Sequence, residues 1–253
     1  MKIIAVTQAR VGSSRLPAKV LKEINGVSVL AMHIRRILKS TTISELIVAT
    51  TNEQGIEALT AICKSEGVLY YQGSLEDVLD RYYQTVVNER PDYVVRITSD
   101  CPLIDPKMID YVVTSTIQSD ADYGSNGFIT VFPNGQDVEV FKFSALEKAW
   151  KEATLRSDRE HVTPYIWRNS SLKGGTIFKS VNYTEEADYG MVRMTLDEPS
   201  DLEVIQAMVD ELGVNADWKL YADFYLSNEK VRQRNMHILR NEGYAKSLLK
   251  DNE

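Results

Sequence analysis

Apolar residues fall along this chain in two rhythms: short continuous runs, and longer stretches with a period near that of a helix. Ile3-Ile4-Ala5-Val6 is a run of the first kind, and it predicts a buried strand. From Val27 to Leu38 the apolar positions Val29, Leu30, Ile34, Ile37 and Leu38 share one side and Arg35 and Arg36 the other, which predicts a helix. Ile43 to Thr50 reads as a strand, Ile56 to Glu66 as a helix stopped by Gly67, and Val68 to Tyr71 as a short strand. Ser74, with Asp77 three positions on, resembles a capping box opening a helix from Leu75 to Asn88, and Tyr93 to Thr98 is a fourth strand. Asp105 and Pro106 have the residue types of an N-cap and a first helical position ahead of a helix from Met108 to Thr116. The repetition predicts an α/β fold, a mostly parallel sheet with helices on both faces.

The rhythm changes after residue 116. Turn-rich stretches at Asp122 to Gly127 and Pro133 to Asp137 flank the alternating Val138-Glu139-Val140-Phe141, so a small antiparallel insertion is expected. Ser144 to Thr154 is helical in spacing. Val192 to Leu196 reads as a further strand, followed by a helix from Leu202 to Leu212 capped by Asp201 or Ser200. From Asp217 onward the tail is helical, charged and aromatic. Its stretch Asn235 to Tyr244 either reaches back over the rest of the fold, enters a second subunit, or ends the chain as a solvated helix.

Composition narrows the picture. The 253 residues, 43% hydrophobic and 26% charged, suit one large soluble domain. A net charge of −7 and a pI near 5.2 argue against nucleic-acid or membrane partners, which call for a basic face. Cys63 and Cys101 are too few for a disulfide framework or a zinc site, so a reducing compartment is expected. The first twenty residues lack the basic and apolar regions of a signal peptide, and no apolar run approaches the ~18 residues that span a bilayer. A cytoplasmic location is the expectation.

Against this acidic background three cations, Arg10, Arg15 and Lys19, cluster in one loop, Gln8-Ala9-Arg10-Val11-Gly12-Ser13-Ser14-Arg15-Leu16-Pro17-Ala18-Lys19. Gly12, Ser13 and Ser14 let the backbone approach a ligand and offer N–H and hydroxyl donors, while Arg10 and Lys19 bring positive charge. That is a phosphate cradle in outline; the alternative is a solvated loop with surface cations. Ligands of open parallel sheets bind beyond the carboxyl ends of strands, where Asp100 follows the fourth strand. A carboxylate beside a polyphosphate calls for a divalent cation between them. Asp197 takes the equivalent place after the strand at 192–196, so Asp100 and Asp197 form a candidate magnesium pair. In the titratable stretch Asp158 to Tyr165, His161 is either a general base or a structural hydrogen-bonding histidine.

Three segments carry a resemblance: the loop from Gln8 to Lys19, Gly73-Ser74-Leu75-Glu76-Asp77-Val78-Leu79-Asp80-Arg81-Tyr82, and Asp100-Cys101-Pro102-Leu103-Ile104-Asp105-Pro106. They resemble the cytidylyltransferase family that includes the spore-coat polysaccharide protein SpsF and, more distantly, the CMP-Kdo and CMP-sialic acid synthetases. The likeness continues through Asp137 to Phe141, Arg159 to Tyr165, Arg193 to Asp197 and Arg240-Asn241-Glu242-Gly243-Tyr244, and so covers nearly the whole chain. It departs at Ala18, where the family usually has Gly, and at Ser99, where a Gly often precedes the aspartate.

The resemblance implies a nucleotide-diphospho-sugar-transferase-like, Rossmann-like fold in one domain. Its parts would be a nucleotide-binding part (1–116), an acceptor-binding part (117–190), a second metal segment (191–214) and a helical tail (215–253). It implies a Mg²⁺-dependent cytidylyltransferase that joins CMP from CTP to a sugar-type acceptor, releases pyrophosphate and serves surface-polysaccharide synthesis. Gln8, Ala9, Arg10, Gly12, Ser13 and Lys19 would grip the triphosphate, Asp100 and Asp197 would hold the metal, and Arg10, Lys19 and Asp100 would act at the reacting centre. The Thr50-Thr51-Asn52 turn, the Gln72-Gly73-Ser74 loop and Arg81 are candidates for reading cytosine. Asp137, Glu139, Glu160 and His161 are candidates for the acceptor pocket. A homodimer fits the tail's reach. The competing readings are a nucleotidyltransferase acting on a sugar phosphate to give a CDP-linked product, a GT-A-type glycosyltransferase, for which no convincing Asp-x-Asp motif is present, and a catalytically silent assembly protein.

Overall fold

The computed structural model describes residues 1–13, 15–240 and 242–251; Ser14 and Asn241, named above in the loop and tail motifs, lie outside them. β1 (Ile3–Gln8) leads through a loop and a hairpin of β2 (Glu23–Ile24) and β3 (Val27–Ser28) into α1 (Val29–Ile37). Then come β4 (Glu45–Thr51), α2 (Ile56–Ser65), β5 (Leu69–Gly73), α3 (Val78–Val86), β6 (Tyr93–Thr98) and α4 (Pro106–Gln118). The second half holds β7 (Tyr123–Ser125), β8 (Glu139–Lys142), α5 (Phe143–Glu152), α6 (Arg156–His161), α7 (Pro164–Arg168) and β9 (Ser180–Asn182). The chain continues as α8 (Pro199–Leu212), α9 (Trp218–Ser227), α10 (Glu229–Arg232) and α11 (Glu242–Lys250). None of the described helices is long and apolar enough to cross a membrane.

Seven strands form one sheet in the order β5-β4-β1-β6-β8-β7-β9. β5, β4, β1 and β6 are parallel, β8 runs against both of its neighbours, and β9 is parallel to β7. The apolar runs are continuous because both faces of the sheet are covered. Ile3, Ala5, Val48 and Val95 enter one core with residues of α1, α2 and α4, whereas Ile4, Val6, Ile47 and Val94 enter another with Leu79, Tyr82 and Leu146. A third core joins Leu16, Ile24 and Met32 to Val192, Met194 and Leu196 and to α8 and α9, which brings the 192–197 segment beside the amino-terminal loop.

Strand order diverges on either side of β1, with β4 and β5 to one side and β6 to the other, so a crevice opens beyond the carboxyl ends of β1 and β6. Because β8 is reversed, its first residue Glu139 pairs with Arg96 near the end of β6 and with Ser125 at the end of β7. The connection 126–138 therefore lies at the same edge.

Four boundaries differ from the sequence expectation, each for a local reason. The helix expected from Leu75 begins at Val78: Asp77 caps it by accepting from Asp80 N–H, and Ser74 Oγ, accepting from Asp77 N–H, only closes the turn before. α1 begins at Val29 because Ser28 is its cap and Val27–Ser28 pair with Glu23–Ile24. Residues 192–196 make no strand ladder. Arg193 forms a single bridge with Asn134, and Gly135, at φ +108, turns the partner chain away; a Cβ there would lie 2.8 Å from the Met194 carbonyl. α8 starts at Pro199, with Glu198 as cap and Asp201 reciprocating from the third helical position, so neither Ser200 nor Asp201 is the cap residue. Asp105 and Pro106 open α4 as expected.

Candidate active site

The loop after β1 turns back at the sheet edge, where Ala18 N–H donates to Val11 O at 3.1 Å. Ala18 is left-handed, φ +53, a conformation glycine adopts without strain. A short 3-10 turn, Lys19–Leu21, follows.

From that turn the Lys19 ammonium returns to the edge and bridges two carboxylates, Asp100 Oδ2 at 2.9 Å and Asp197 Oδ1 at 2.9 Å. The two backbones meet as well, since Leu196 N–H donates to Asp100 O at 2.7 Å. Burial alone would raise the Asp100 carboxyl, yet Lys19, with hydrogen bonds from Thr98 and Cys101, holds it well below the usual carboxylate range. Burial alone would lower Lys19, but Asp100 and Asp197 outweigh it and raise the ammonium above its ordinary value.

Each carboxylate has its own support. Behind Asp100, His33 Nδ1–H donates to Cys101 O at 2.9 Å and Nε2 accepts from the Thr7 hydroxyl at 2.8 Å, tying α1 to β1 and to the turn that follows β6. Burial lowers His33 to about 4, so it is neutral. Behind Asp197, Arg193 reaches Asp197 Oδ2 at 3.2 Å and clasps fully buried Asp201 through two contacts of 2.8 Å. Asp201 Oδ2 also accepts the N–H groups of Asp197 and Glu198, each at 2.9 Å, and Asn235 Nδ2 donates to Asp201 Oδ1 at 2.9 Å. Arg15, 3.1 Å from Asp197, joins the loop to this network.

Arg15, Lys19, Asp100, Arg193 and Asp197 line a cleft of about 1160 Å³. Of the residues singled out from sequence, Gln8, Ala9, Arg10, Gly12, Ser13, Lys19, Arg81, Asp100, Asp137, Glu139, Glu160, His161 and Asp197 all line it. Thr51, Gln72, Gly73 and Ser74 are not among its lining residues. Thr51 is buried, and Gln72 Nε2 donates to its carbonyl at 3.4 Å. Ser74 O accepts from Arg81, and the bare Gly73 leaves room for Arg81 Cγ, so this pair acts on the cleft through Arg81. Gln8 Oε1 and Arg81 Nε are buried and have no partner among the described residues, which leaves both able to meet a ligand. The Gly12 N–H expected to face a ligand is donated instead to Glu53.

On the other wall, Glu139 is held by Arg96, by the Tyr123 hydroxyl at 2.7 Å and by the Thr163 hydroxyl at 2.6 Å. His161 Nε2 meets Ser247 Oγ at 2.9 Å, and burial, then Arg96, lowers its pKa, favouring the neutral ring. Ser247 Oγ is also 2.9 Å from Glu160. Arg240 binds Asp137 and donates to Phe132 O at 3.0 Å, while Leu239, Gly243 and Tyr244 line the cleft. Of the three fates open to the tail, the described residues show the first: it reaches back over the site.

Sequence reasoning assigns no site role to Glu53, Arg96, Arg193, Asp201, Arg240 or Ser247, although Asp201 reads as a helix cap and Arg193 and Arg240 fall in the resemblance motifs. Two of them left a readable sign: Arg96 and Arg193 each interrupt an apolar run, and a buried guanidinium must find acceptors, carboxylate or backbone carbonyl. Spacing does not reveal which.

The family model described as "Cytidylyltransferase" matches residues 4–241. The chain is 29% identical over 220 residues, 85% of its length and 89% of the other's, to the spore coat polysaccharide biosynthesis protein SpsF of Bacillus subtilis. A cytidylyltransferase structure from Leptospira borgpetersenii superposes with a TM-score of 0.86 at 30% identity, covering 95% of this chain and all of that one. A CMP:2-keto-3-deoxy-manno-octonic acid synthetase structure complexed with CTP shares the fold, with a TM-score of 0.59 at 18% identity over 83% of this chain and 99% of that one.

Proposed function

This chain belongs to the cytidylyltransferase family, and on that premise we propose that it transfers CMP from CTP to a sugar or sugar-acid acceptor, releasing pyrophosphate, for surface-glycan synthesis. The observation that carries the reading is the convergence of Lys19, Asp100 and Asp197 beyond the ends of β1 and β6, beside the Arg10 loop. An acceptor oxygen attacks the α-phosphorus, and the bond to the bridging oxygen of the departing pyrophosphate breaks. Positioning the two reactants and neutralising the leaving charge supply most of the rate, so no protein nucleophile is needed.

Arg10 and Lys19 provide fixed positive charge for the triphosphate. Asp100 and Asp197 fit Mg²⁺: both are carboxylates, both are part-buried, and both already converge on one cation, the Lys19 ammonium. When bound there, the metal would neutralise phosphate oxygens. Glu139 is saturated by internal partners and shapes the acceptor wall, whereas Asp137, Glu160 and His161 take their positions from the tail.

The test is phosphate release from CTP, Mg²⁺ and pyrophosphatase across a panel of ulosonic acids and sugar phosphates. At least one acceptor should give turnover; activity with UDP-sugar donors and none with CTP would replace this reading by glycosyl transfer. Asp100→Asn and Asp197→Asn should each reduce turnover by on the order of 100-fold, much more than the loss of folded protein read from the melting temperature explains. A fully active double variant would end the two-carboxylate reading.

A further inference from the structure

The Glu53 carboxylate accepts the N–H of Val11 at 2.6 Å and that of Gly12 at 3.0 Å. Glu53 comes from the turn after β4 and is not among the residues lining the cleft, whereas Arg10, Gly12 and Ser13 are. It therefore stands behind the loop. A Cβ on Gly12 would sit 2.6 Å from Glu53 Oε2, so the bare glycine is what permits the approach. Val11 is fixed through its carbonyl too, which accepts from Ala18 N–H at 3.1 Å. Residues 11 and 12 are thus pinned from both directions, and Arg10 and Ser13 flank them.

We propose that Glu53 is a positioning residue of the triphosphate grip: holding Val11 and Gly12 from behind, it presents Arg10 and Ser13 to a nucleotide that it does not touch. The proposal rests on reading this loop as the CTP site. The same contacts admit an opposite role, a carboxylate standing in for a phosphate that the nucleotide displaces, but its place off the cleft wall favours the brace. The two roles differ in sign. Removing a brace weakens CTP binding, and removing a competitor tightens it.

The experiment measures CTP binding by calorimetry without acceptor, together with steady-state kinetics, for Glu53→Gln and Gly12→Ala. Glu53→Gln keeps the side chain's shape but puts an amide N–H against a backbone N–H. It should weaken CTP binding roughly 10-fold and raise KM for CTP, with kcat at saturating CTP and the melting temperature unchanged. Gly12→Ala should also weaken CTP binding, and the double variant should lose little more than either single one, because both break the same contact. Tighter or unchanged CTP binding in Glu53→Gln would overturn the proposal, as would full additivity of the two losses. Arg10→Ala and Lys19→Ala serve as references. If neither weakens CTP binding, the reading of the loop as a triphosphate grip fails and the brace with it. If they weaken binding and Glu53→Gln does not, the brace alone fails.

Discussion

Asp100 and Asp197 end on the same ammonium but are delivered there by different physics. Asp100 follows a strand laddered to β1 and β8, and its turn is pinned by a neutral histidine. Asp197 follows a segment with a single strand bridge, packed through Val192, Met194 and Leu196 and bonded to Asp100 O by the Leu196 N–H, and what orients its carboxylate is buried charge: Arg193 clasping Asp201, which in turn accepts the Asp197 N–H. One half of the site is placed by backbone pairing and the other by an ion network. The sheet half rests mainly on backbone bonds, with His33 as its side-chain support, whereas the ionic half depends on each member.

Breaking the ionic half should have the largest effect. Asp201→Asn leaves the Arg193 charge poorly compensated in the interior and should cost about 3–5 kcal/mol of stability. Turnover should fall further than the folded fraction alone explains, as Asp197 loses its anchor; denaturant unfolding and activity on the folded fraction check both. A loss below about 1 kcal/mol would mean that Asp197 compensates Arg193 unaided, and the contrast between the two halves would collapse.

Acid probes the sheet half. The unfolded His33 takes up its proton near 6.5, but the folded one does so only near 4. Stability should therefore fall as pH drops through that window, by about 3 kcal/mol in all, and stop falling from this source below it. His33→Gln should flatten the slope in a pH series of urea unfolding; an unchanged slope would remove His33 from the support of the Asp100 turn. The smallest effect belongs to the loop that joins the halves. Ala18→Gly relieves a left-handed alanine but adds freedom to the unfolded chain, for a net gain of roughly 0.5 kcal/mol, read as a slightly raised melting temperature.

This contrast also explains what could be read from the sequence. β1, β4 and β6 are buried on both faces, so their apolar runs announce them, and the α4 start is written in Asp105 and Pro106. The cations of the first loop stand out because the chain is otherwise acidic. Asp100 follows from its place after a strand. Apart from the resemblance, Asp197 was visible as an analogy to Asp100, and the strand invoked for it is one bridge. Glu53 carries no signal in the sequence, because nothing in a turn's composition shows which backbone donors its carboxylate will meet. Ser74 had the right residue type for a cap, and Asp77, also a good cap, took the role. The tail's contacts with Asp137 and His161 join residues about 100 positions and 86 positions apart, a separation that local patterns do not encode.

The reversed strand β8 separates heritable constraints. Its antiparallel pairing with β6 and β7 fixes register on both sides of the 126–138 connection, so the residues of that connection not tied elsewhere can change without shifting a strand, whereas Asn134, Gly135 and Gln136 are bound to the 192–194 segment and to the turn before α4. The connection contributes Gly127, Phe128, Asn134 and Asp137 to the cleft wall and nothing to the Lys19 bridge. On the proposed reading of this wall as the acceptor side, substitutions at Gly127, Phe128 and Asp137 should alter acceptor preference while leaving CTP binding unchanged.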